Sequence, residues 1–98
     1  MATHIQIPGV PKGDMAYLKK EGWLTGDILS LSALLGHYNS MHLNHEQQTK
    51  YYEKGLAGAN DKMSRIIEYS KKRTIPSPVL KENFRRAIVA YGHKISTR

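Results

Sequence analysis

Residues 52–70 read YEKGLAGANDKMSRIIEYS. Tyr52, Leu56, Ala59, Met63, Ile66 and Ser70 recur at steps of 4, 3, 4, 3 and 4, a heptad seam along one helical face. Gly55 and Gly58 interrupt it. An interior glycine costs a helix about 1 kcal/mol relative to alanine. Two of them imply either the close approach of another helix or a break, and Asn60 stands where it would cap a restarted helix. The periodicity predicts one continuous helix over 45–72.

Upstream, Asn44 followed by Gln47 is a capping-box pattern that opens this helix. The seam's phase extends back through His45, His42 and Tyr38, but His42, His45 and Thr49 would place polar groups inside it. A turn near 39–44 is the simpler reading. Before it, Ile28, Leu31, Leu34, Leu35 and Tyr38 repeat at helical spacing, with Thr25 as cap and Asp27 in the first turn. This predicts helix 26–39, paired with the long helix as an αα-hairpin. Earlier still, Asp14 caps a short helix that Gly22 ends, and Trp23 anchors the turn.

Downstream, Thr74-Ile-Pro-Ser-Pro halts the helix, and Ser77-Pro78 starts another with Pro at its first position. Leu80, Phe84, Ala87, Ile88 and Tyr91 share one face of helix 78–91, Val89 falls on the far side, and Gly92 reads as the stop. HKISTR reads as a loose basic tail. The first thirteen residues carry Pro8, Gly9, Pro11 and Gly13, which exclude a helix, while Ile5, Ile7 and Val10 suit an extended arm laid on a neighbour. The fold class is all-α: a small helical domain built on an αα-hairpin with one long amphipathic helix, a C-terminal helix and an extended N-terminal arm. The organisation is an arm over 1–13, one domain over 14–92 and a tail over 93–98.

The 98 residues contain no cysteine, which rules out disulfides and thiolate metal sites. The N-terminal stretch lacks the basic and apolar regions of a signal peptide. No apolar run approaches the ~18 residues of a membrane span. A soluble, cytoplasmic protein without membrane contact is the expectation, and small size without motifs keeps a virion or phage accessory component among the readings. The net charge of +7 is segregated: residues 1–49 carry −1 and residues 50–98 carry +8. Such asymmetry points to an acidic partner, most commonly nucleic acid, though an acidic protein face or an anionic membrane surface would also serve.

Lys50, Lys54, Lys62, Arg65 and Lys72 fall on one side of the predicted long helix, Lys71 and Arg73 join at its end, and Lys81, Arg85 and Arg86 form a second cluster. Tyr51 and Tyr69 flank the stripe, as base-stacking rings would. Glu46–Lys50, Asp61–Arg65, Glu68–Lys72 and Glu82–Arg86 are acid-before-base pairs that simply support a solvated helix. They leave Lys54, Lys62, Lys71, Arg73, Lys81 and Arg85 unmatched. A helix-turn-helix over LSLSALLGHYNSMHLNHE fails because His42 and His45 occupy the places its core needs. His37, His42 and His45 fix no third metal ligand by spacing, so neither a metal nor another cofactor is called for. Nucleophile motifs and phosphate loops are absent, so an enzyme is not expected.

Two functions are compatible with these features. The first is a small non-enzymatic interaction or assembly protein, binding a partner or itself through Ile5, Ile7, Val10, Tyr52, Leu56, Met63 and Ile66. The second is a nucleic-acid-binding module that makes sequence-independent phosphate contacts through Lys54, Lys62, Arg65, Lys71, Lys72, Arg73, Lys81, Arg85 and Arg86.

Overall fold

The computed structural model describes Ile7 and residues 9–97. Among them are five helices, α1 Lys12–Lys20, α2 Thr25–Asn39, α3 His45–Ala57, α4 Asp61–Ser70 and α5 Pro78–Ser96. The chain is all-α, with a helical hairpin and a long C-terminal helix. Helices α2, α3 and α4 each pack on α5, α3 most extensively, and α2 also touches α4.

The predicted 45–72 helix is two helices. Gly58 ends α3, and the Asn60 side chain accepts a hydrogen bond from Met63 N at 2.9 Å to start α4. The two interior glycines thus have different roles. Gly58 lies at the break, where its carbonyl accepts a bond from the Tyr91 hydroxyl at 2.9 Å. Gly55 is buried against α5: a methyl group there would lie 2.5 Å from the Ile88 carbonyl oxygen. Gly92 answers it from the other helix, since a side-chain carbon there would collide with the Tyr51 carbonyl. Gly92 is therefore no helix stop. It is a crossing point, and α5 continues to Ser96, which removes the expected loose tail. Val89, expected on an outer face, is fully buried because other helices flank α5 on several sides.

Local signals elsewhere act as their chemistry dictates. Asn44 and Gln47 form the capping box of α3. Gly22, at φ +78°, closes α1, with Gly22 N bonded to Lys19 O and Trp23 N to Leu18 O. Trp23 then stacks on Tyr69 at 4.1 Å and leans on Phe84 at 5.5 Å, tying that turn to α4 and α5. Asp14 is not a cap. It sits inside α1, buried, and accepts from the Ser77 hydroxyl at 2.7 Å. The same Ser77 oxygen accepts from Leu80 N at 3.1 Å, so one hydroxyl starts α5 and holds α1.

Ile7, Gly9 and Val10 lie on their own domain. Ile7 is in the core, Val10 packs beside it, and the buried Asn83 amide donates to the Gly9 carbonyl at 3.1 Å. Ile5 lies outside the described residues. A further tie joins α2 to α4: Arg65 grips the fully buried Asp27 with both ends of its fork, Nε–Oδ2 at 3.0 Å and Nη2–Oδ1 at 2.8 Å.

Gly92→Ala should destabilise the chain by about 1–3 kcal/mol through overpacking, whereas Gly36→Ala, which meets open space within α2, should stabilise it by about 0.5–1 kcal/mol. Urea unfolding of the two variants checks the contrast. Arg65→Met should lower the melting temperature by stranding a buried carboxylate, while Lys62→Met should hardly move it. The double variant Asp27→Leu with Arg65→Met should recover part of the loss.

Candidate interaction surface

The seam residues divide between interior and surface. Met63 and Ile66, on α4, lie in the core. Ile7 is buried and Val10 half-buried against that core. On α3, Tyr52 is half-buried against the core edge and Leu56 has 41% of its surface exposed. The division follows from the Gly58 break, which gives α3 and α4 independent directions. Both pack on α5 and scarcely touch each other.

Open clefts lie around Tyr52 as a result. One of about 380 Å³ is walled by Tyr52, Ser70, Pro78, Lys81, Glu82, Phe84, Arg85 and Ile88. A second, about 410 Å³, runs past Leu56, Ala59 and Ile67 to Glu68 and Lys71. A third, also about 410 Å³, continues along α3 by His45, Gln48 and Thr49 to Arg85. The Tyr52 ring lines all three. Together they make a trough with apolar rings and methyls at its centre and charges on its banks.

The predicted cations fare unevenly. Arg65 is committed to Asp27. Lys72 reaches Glu21 at 3.3 Å rather than Glu68. Lys71 makes a loose 3.9 Å pair with Glu68. Arg85 grips Glu82 through Nε at 2.8 Å and Nη2 at 2.6 Å, and its Nη2 also reaches Gln48 at 3.2 Å. Arg86 shares Glu82 at 3.3 Å and lies 5.7 Å over the Tyr38 ring. Arg85, chiefly, and then Arg86 hold the Glu82 carboxyl below its usual range, and Glu82 in turn raises the Arg85 guanidinium. Among the described residues Lys54, Lys62, Arg73 and Lys81 have no acidic partner. The two tyrosines expected to stack on bases have other contacts: Tyr69 covers Trp23, and Tyr51 meets the edge of His93.

The histidines regroup as well. His37 faces His93 rather than His42 or His45, with Nε2 and Nδ1 3.0 Å apart, and so joins α2 to α5. Sequence spacing holds no sign of this pair or of Asp27–Arg65, because each closes a long loop.

Burial, then His93 and Lys94, lower the His37 pKa from 6.5. The folded chain therefore takes up this proton at lower pH than the unfolded chain does. The stabilisation is complete above the unfolded value and is lost as pH falls through the lowered one. Urea unfolding between about pH 7.5 and 5 should show that decline, and His37→Asn should flatten it.

No known protein family, curated protein or solved structure matches this chain.

Proposed function

We propose that this chain is a small non-enzymatic interaction protein that seats a protein partner in the trough between α3 and α4. One observation supports the reading above others: Leu56 is exposed and Tyr52 only half-buried where the clefts meet, while Met63 and Ile66 of the same seam, with Ile7, are buried. An apolar stripe that its own fold leaves uncovered, ringed by polar groups, has the anatomy of a protein interface. The clefts are within the size range of binding sites but open and shallow, which suits a side-chain anchor better than an enclosed substrate.

The nucleic-acid reading keeps a specific support in Lys54, Lys62, Arg73 and Lys81, which no carboxylate neutralises among the described residues. It is weaker than the sequence implied, because Arg65, Lys72, Arg85 and Arg86 are held by carboxylates of the chain itself.

A photo-crosslinking side chain at position 56, compared with one at exposed position 20, separates the two. Discrete protein adducts from position 56 alone, lost when Tyr52→Asp is added, are the expected result. Nuclease-sensitive adducts, or equal yields from both positions, would overturn the reading. On the nucleic-acid alternative, neutralising Lys81 and Arg73 would lower the log–log salt slope of duplex binding by about 0.9 per lost phosphate contact.

A further inference from the structure

We infer that the trough takes an amphipathic α-helix whose flanks carry carboxylates. This rests on the reading of the trough as a protein site and goes further by naming the occupant.

Shape comes first. The α3 bank presents His45, Gln48, Thr49, Tyr52 and Leu56, a stripe at helical spacing that runs nearly the whole length of α3. At 1.5 Å per residue that stripe is about 16 Å long, the length of roughly three helical turns. α3 walls the trough along its length, α5 floors it, and α4 stands opposite beside Tyr52 and Leu56, so a rod laid there packs as one more helix of the bundle. An extended peptide would fit poorly. No strand edge is present among the described residues to pair with its backbone, and the floor at Phe84 and Ile88 offers hydrocarbon. A helix satisfies its own backbone groups and presents only side chains.

Charge selects the flanks. The lining carries Lys81, Glu82 and Arg85 on α5, with Glu68 and Lys71 at the end of α4. Glu82 is already shared by two arginines, and Lys81 has no acidic partner among the described residues. The uncompensated sign is positive, and it lies within a half-chain of net charge +8. A carboxylate on the occupant would meet Lys81 directly. An approaching lysine would meet like charge at Lys81 and Lys71. The same balance disfavours a second copy of this chain, whose net charge is +7. Nucleic acid is disfavoured by the apolar floor and by the two glutamates in the walls.

The test uses three fluorescein-labelled helical peptides of about 14 residues, near the length at which an isolated helix begins to form. The first has leucines at i, i+3, i+4, i+7 and i+11 with glutamates flanking them. The second has the same leucines with lysine flanks. The third has the glutamates with serines in place of the leucines. Fluorescence anisotropy with the whole chain should show the first binding at least tenfold tighter than either control. Lys81→Glu should reverse the preference between glutamate and lysine flanks, and Leu56→Asp should abolish binding. Both positions are exposed, and circular dichroism should show both variants folded. Equal binding of the first two peptides would overturn the acidic occupant yet leave the trough a protein site. Equal binding of the first and third would overturn both readings in favour of unspecific attraction. If no peptide binds while position 56 still yields protein adducts, the helical occupant is wrong and the interaction function stands. Displacement of the first peptide by single-stranded oligonucleotide, in a Leu56-dependent manner, would put nucleic acid in the trough instead.

Discussion

Two helices meet here at backbone distance, and most of the architecture follows from that contact. Where Gly55 faces Ile88 and Gly92 faces Tyr51, no side chain separates α3 from α5. Such proximity needs glycine on both partners, at a cost in helix propensity that interhelical contact offsets. It also fixes the axis of α3 so firmly that the chain must turn at Gly58 to bring Met63 and Ile66 onto the same core. The trough is what remains between a helix held that close and one that has turned away.

Much of this fold is legible in the sequence, and what is legible shares a property. The Asn44–Gln47 box, the Ser77-Pro78 start, the Gly22 turn and the anchoring Trp23 all involve residues adjacent in the chain or one helical turn apart. Their chemistry is complete in a short window. Gly92 shows where that stops. A glycine after an apolar stripe looks the same whether it ends a helix or lets another helix in, and the residue that decides, Tyr51, is far upstream. Val89 was misplaced for the same reason: one face of a helix is identified by its own period, but a helix packed on several sides has no outer face there.

The candidate site was partly legible. Tyr52 and Leu56 belong to a stripe that periodicity finds at once, yet only the break after α3 separates them from Met63 and Ile66. The basic residues were found by counting, and pairing within one helix was the natural discount. Glu82–Arg86 forms as the spacing predicts, but two other cations find partners across elements: Arg65 with Asp27 on α2, Lys72 with Glu21 just past α1. These contacts order the cations by availability in a way that no count of charges does.

The placement of α5 at the centre also bears on how the chain is made. It is the last of the five helices to be synthesised, yet α2, α3 and α4 all pack on it. His37 waits 56 residues for His93, and Gly9 waits 74 for Asn83. At bacterial or eukaryotic elongation rates, such intervals are roughly 3–15 s. Until then the apolar face of α2 lacks the helix on which it packs. Emergence of α5 from the ribosome thus completes the core, and a nascent chain stalled short of Ile88 would present its seam, unshielded, to chaperones.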